Sequence, residues 1–99
     1  MTINKTLDGT TLTMAIEGRI DTQTAPELEA VIKDSIDGAD RLVLDFAKVN
    51  YISSAGLRAV LSAQNWMDAK KGAMVIRNAA KVILNVFKVT GFDTFLTLE

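Results

Sequence analysis

The sequence predicts an α/β domain with a mostly parallel sheet, carrying an antiparallel hairpin at its N-terminal edge and running in the order β-β-α-β-α-β-α-β. Three observations predict it. Short β-branched or apolar runs alternate with stretches of helical periodicity, which implies right-handed crossovers between parallel strands. A turn dipeptide, Asp8-Gly9, separates the first two strand-like runs, which marks a hairpin. Across Asn50 to Leu61 the hydrophobic period changes from two to about 3.6 over a pair of serines, as it must where a strand runs into a helix.

Residues Ile3 to Leu7 and Thr11 to Glu17 form the hairpin strands; in the second, Leu12, Met14 and Ile16 alternate with Thr11, Thr13 and Glu17, so one side is buried. Gly18 to Gln23 is expected as a loop. Thr24 and Glu27 stand at capping-box spacing with Pro26 in the opening turn, so the first helix begins near Ala25 and ends at Asp37-Gly38. Its apolar stripe is Leu28, Val31, Ile32 and Ile36. Arg41 to Phe46 is a buried parallel strand, connected through Ala47 to Asn50 to the serine pair.

The second helix is predicted from about Ala55 to Lys70, stopped by Gly72. Leu57, Val60, Leu61, Gln64 and Met67 share one side, whereas Arg58, Ser62, Asn65, Trp66 and Ala69 share the other. Trp66 is the exception to a polar outer face: it either lies over neighbouring aliphatic stems or anchors an interface. Ala73 to Arg77 is a further strand. Asn78 is placed to cap a third helix bearing Val82, Ile83, Val86, Phe87 and Val89, with a stop at Gly91-Phe92, and Phe95 to Leu98 reads as a last strand.

Ser54 sits at the start of the second helix, where its hydroxyl can accept from an orphan N–H of the first turn. Phosphorylated, it would set its oxygens against the positive end of the helix dipole. Ligands of open α/β sheets gather at the carboxyl ends of the strands. That edge carries Gly18 to Thr24 and Ser53-Ser54, so topology alone brings Asp21 near the helix start. Asp45, at a strand end, reads as structural, holding nearby loop N–H groups.

Composition narrows the chemistry. The 99 residues read as a single domain, 48% hydrophobic, with a formal net charge of −1. No histidine and no cysteine are present, which removes a Ser-His-Asp triad, a thiol nucleophile and the usual zinc site. Eleven basic residues face twelve acidic ones without a basic cluster beyond Lys70-Lys71, so direct nucleic-acid binding is not expected. No apolar run reaches the roughly 18 residues of a membrane span. With no secretory segment ahead of the first strand, the cytoplasm is the default compartment. A small α/β enzyme or nucleotide binder finds no phosphate-binding loop and no base to activate Ser54.

Tyr51-Ile52-Ser53-Ser54-Ala55-Gly56-Leu57-Arg58 resembles the phosphorylation motif of the anti-sigma factor antagonists, bacterial members of the STAS domain family. Gly18-Arg19-Ile20-Asp21 with Thr24-Ala25, Val43 to Phe46 and Val89 to Phe92 are similar to three further family segments, so the resemblance spans nearly the whole of residues 1–99. It implies a single STAS-like domain that is a binding module and not an enzyme, with no cofactor and no metal. The expected partners are an anti-sigma factor with serine kinase activity and a metal-dependent serine phosphatase. In the family the unphosphorylated antagonist binds the anti-sigma factor and frees a sigma factor, and the phosphorylated form lets go.

Counting back two from Gly56-Leu57 selects Ser54 as the acceptor. Contact with the partner is expected from Asp21, Thr24, Ser53, Ala55, Gly56 and Arg58, with Trp66 further along the helix. Asp21 has an alternative in stabilising its own turn, and Ser53 in satisfying the loop. Ser53 and Ala55 stand where many phosphorylated members carry an aspartate and a small hydroxyl residue. The final helix of many members is also missing, which is expected to expose part of the sheet or the first helix. A STAS subunit of a transporter-associated or stress-signalling assembly, with Ser54 unmodified, is the alternative.

Overall fold

A computed structural model describes residues 1–99. Strands β1 (Thr2–Asp8) and β2 (Thr11–Ile20) form the antiparallel hairpin, with Gly9 at φ +61° in the turn. Helix α1 (Ala25–Ser35), strand β3 (Arg41–Ile52), helix α2 (Ser54–Ala69), strand β4 (Ala73–Arg77) and helix α3 (Lys81–Thr90) follow, then a 3-10 turn at Phe92–Thr94. The sheet order is β1-β2-β3-β4, with β2, β3 and β4 parallel. No helix is long and apolar enough to cross a membrane.

Successive right-handed crossovers that step in one direction put their helices on one face of a sheet. The core reflects this: Leu12, Met14 and Ile16 of β2 and Leu42, Leu44 and Phe46 of β3 join Leu28, Val60 and Phe87 from the helices in one apolar cluster. Val43 and Val75 are buried outside that cluster, as strand alternation requires of residues on the opposite face. Phe46 and Phe87 are fully buried with ring centroids 6.3 Å apart, and each burial contributes about 1.5–3 kcal/mol. Ala59 and Ala63 are the small residues of α2 that let the helix pack closely.

Several boundaries differ from the sequence reading, each for a local reason. The segment Ala47 to Asn50 is not a connector: β3 continues through it to Ile52, and β2 runs past Glu17 to Ile20 beside it. Register shifts at Ala15/Glu17 and Gly18/Arg19 absorb the mismatch, and the alternation they break, with buried residues three apart at Phe46, Val49 and Ile52, hid the strand pattern. Asn78 does not cap α3. It adopts φ +64° and its amide donates to Asp45 Oδ1 at 3.3 Å, leaving Ala80 as the cap. Asp45 Oδ1 also accepts from Ala47 N–H, so it holds nearby backbone as read, but from within β3 and not from a strand end.

The last strand shrinks to one parallel bridge, Ile76 with Leu98, because Phe92 to Thr94 coil into the 3-10 turn. Glu99 ties the end down, donating its N–H to the Ile76 carbonyl at 2.8 Å and pairing with Arg41 and Arg77. In α3 only Ile83 and Phe87 are buried; Val82 and Val89, also among the apolar residues this helix bears, are exposed.

Candidate functional site at the start of the second helix

Where β2 and β3 end side by side, the register pairs Arg19 with Tyr51 and Ile20 with Ile52. One residue further, Ser53 N–H donates to the Ile20 carbonyl at 2.8 Å. This bond fixes the point at which the chain turns from β3 into α2. Ser53, in extended conformation, is the cap: its Oγ accepts from Gly56 N–H at 3.2 Å, and its carbonyl accepts from Leu57 N–H at 2.9 Å. The capping role expected of Ser54 therefore belongs to its neighbour. Ser54 is the first helical residue, exposed, with a side chain that makes no hydrogen bond.

Gly56 is buried, which overturns its place on the contact surface. A Cβ there would lie 2.7 Å from Ile52 Cγ1 and 2.8 Å from the Ile20 carbonyl oxygen. Only glycine lets α2 approach the end of β2 this closely. Ala55 is half-buried against the core, and Arg58, four residues after Ser54 on the same helix face, is exposed and forms no ion pair.

The neighbouring turn is held by Asp21 and Thr24. Asp21 Oδ1 accepts from the N–H groups of Gln23 and Thr24, each at 3.0 Å, and from Thr24 Oγ1 at 3.2 Å. Thr24 Oγ1 in turn accepts from Asp21 N–H at 2.9 Å. The reciprocal box is thus Asp21 with Thr24, three residues before the expected Thr24–Glu27 pair, and Thr24 makes no side-chain cap of α1. Hydrogen bonding to the Thr24 backbone, above all, holds the Asp21 carboxyl below the usual aspartate value; the Gln23 N–H, the Thr24 hydroxyl and Arg19 add to it against partial desolvation.

Arg19 and Tyr51 were not among the site residues the motif selected. Arg19 Nε lies 3.5 Å from Asp21 Oδ2, and its guanidinium carbon sits 4.0 Å from the Tyr51 ring centroid. Only the parallel register of β2 with β3 brings them together; the signal in the chain is that each lies within a family-like segment, two residues before a selected site residue, Asp21 or Ser53.

Trp66 is not part of this cluster. Twelve residues beyond Ser54, it lies about 18 Å along the helix. Its ring is half-buried against the core with Lys33 Nζ of α1 at 5.8 Å from the centroid, so it covers aliphatic surface between α1 and α2 and does not stand free on the outer face. A shallow dent of about 250 Å³ lined by Asn4, Ala15, Glu17, Asp45 and Lys48 is separate from the serines.

Comparison with known proteins places the chain in a family. The chain is 34% identical over 93 residues to "Putative anti-sigma factor antagonist BtrV" of Bordetella bronchiseptica, covering 93% of this chain and 78% of the relative. An anti-sigma factor antagonist from Mycobacterium paratuberculosis superposes with a TM-score of 0.84 at 25% identity, over 98% of this chain and 83% of that one. The unphosphorylated anti-sigma factor antagonist SpoIIAA shares the fold with a TM-score of 0.80 at 16% identity, over 99% and 87%. The family model described as "Mlab, STAS domain" matches residues 3–98, and with BtrV at this identity the chain belongs to the STAS domain family.

Proposed function

We propose that the protein is an anti-sigma factor antagonist whose binding is switched by phosphorylation of Ser54. The observation that carries this reading is the division of labour between the two serines. Ser53 takes the structural cap, and Ser54 is left exposed at the positive end of α2 with its hydroxyl unengaged. A kinase can reach that hydroxyl without breaking a bond of the fold. No acidic residue occupies the first turn of α2, so a phosphate meets the helix dipole without like-charge repulsion from the helix.

The relatives support the role: BtrV and the mycobacterial protein carry the antagonist name. SpoIIAA from Bacillus, of the same fold, has also been solved in its phosphorylated form. In the unphosphorylated state the surface around Ser54 binds an anti-sigma factor with serine kinase activity and so releases a sigma factor. The phosphate weakens that contact because a dianion is desolvated at the interface, and a metal-dependent serine phosphatase restores the binding form. The chain acts as a binding module and not as an enzyme, and its place of action is the cytoplasm.

The test is incubation with ATP and a purified serine-kinase anti-sigma factor of the source organism, followed by intact-mass analysis and peptide mapping. One phosphate on Ser54 and a loss of at least about tenfold in affinity are expected. Stoichiometric phosphorylation of Ser54→Ala, or unchanged affinity after modification, overturns the proposal.

A further inference from the structure

We infer that Arg19 and Tyr51 form an anchor for an acidic side chain of the partner, and that phosphate on Ser54 expels that side chain by neutralising the surrounding cations. This rests on the reading of Ser54 above and adds the chemistry of the contact.

The stack is exposed yet ordered. Tyr51 is 41% exposed, the Arg19 side chain is 58% exposed, and the guanidinium lies over the ring at 4.0 Å. Arg19 Nε is engaged by Asp21 Oδ2, whereas its two terminal nitrogens make no hydrogen bond within the chain. A guanidinium held over a ring with its outer donors free is set up to receive a carboxylate, with less side-chain freedom to lose on binding. Tyrosine and arginine are also the residue types that dominate binding energy at interfaces.

The local charge selects the partner's sign. Asp21 spends its carboxylate on Gln23, Thr24 and Arg19, and Glu17 is paired with Lys48 at 3.7 Å. Arg58, one turn beyond Ser54, has no acidic partner, and the start of α2 has no acidic residue. Among the charges beside the Arg19–Tyr51 pair and the start of α2, one cation, Arg58, is left over, so an acidic contact fits there better than a basic one. A dianion on Ser54 sits at i, i+4 from Arg58 and at the positive helix end, and it removes the surplus the partner uses.

The experiment titrates the chain with the same purified serine-kinase anti-sigma factor at low and at high salt, with thermal melts as control. Wild-type affinity is expected to fall with salt; Arg19→Ala and Tyr51→Ala each lose about tenfold, and Arg19→Ala flattens the salt dependence. Should the alanine variants melt early, Arg19→Lys and Tyr51→Phe decide. The lysine keeps the salt dependence but loses affinity with the planar fork, and Tyr51→Phe, which keeps the ring, binds as wild type. Wild-type binding together with unchanged affinity and salt dependence in Arg19→Ala and Arg19→Lys overturns the anchor and leaves the Ser54 reading standing. A wild-type chain that neither binds nor accepts phosphate brings down both.

Discussion

Two helix starts lie at the same edge of the sheet, and they are built on opposite plans. The approach to α1 is closed: Asp21 and Thr24 satisfy each other's backbone N–H groups, Pro26 has no N–H that needs an acceptor, and Glu27 faces the dipole. The start of α2 is stabilised from beneath instead, by the Ser53 cap, the Ser53–Ile20 bond and the fit of Gly56 against Ile20 and Ile52. Its outer side stays open, with a free hydroxyl at Ser54 and an unpaired Arg58. A helix end held by its buried side can leave its exposed side to a modification. One whose polar groups are spent on one another has little left to offer.

The comparison breaks most visibly at Gly56. Gly56→Ala drives a Cβ into Ile52 and the Ile20 carbonyl, and this outweighs the gain in helix propensity. A net loss of about 2 kcal/mol is expected, seen in a thermal melt as a drop of roughly 10 °C. A melt equal to wild type would show that α2 does not depend on this close approach.

Ser53→Ala removes the cap and should cost about 1 kcal/mol in denaturant unfolding, while Ser54 remains available to a kinase. An equal effect of Ser54→Ala would put the two serines on the same footing and end the division of labour.

For the closed start the sharper probe is pH. The Asp21 carboxyl is depressed in the folded chain, so its stabilisation is fully present above the unfolded aspartate value, near 3.8, and is lost as pH falls through the lower folded value. Asp21→Asn should therefore melt earlier than wild type at neutral pH, with the gap narrowing as the buffer is acidified below about pH 4. A gap independent of pH would assign the effect to shape and not to charge.

The smallest effect is expected where function is placed. Ser54→Ala should change stability by no more than about 0.5 kcal/mol, because the side chain bonds to nothing. A larger loss would show the hydroxyl at work in the fold.

Much of this was legible in the chain. Alternating periods fixed the α/β class and the element order as far as the third helix, Asp8-Gly9 located the hairpin, and β4 falls on Ala73–Arg77 as read, because each signal is local. The serine pair at a change of period placed the candidate site at the start of a helix. What could not be read is what depends on residues distant in sequence. Which serine caps is decided by the Ser53–Ile20 bond between β3 and β2. Gly56 looks like an exposed first-turn glycine until Ile20 is packed against it. Arg19 and Tyr51 meet only through a register with two shifts in it. Trp66 reads as outward on a lone helix and is covered by the neighbouring one. Periodicity reports which side of an element is apolar; the partner that lies against that side, and the polar groups it leaves free, are set by packing between elements.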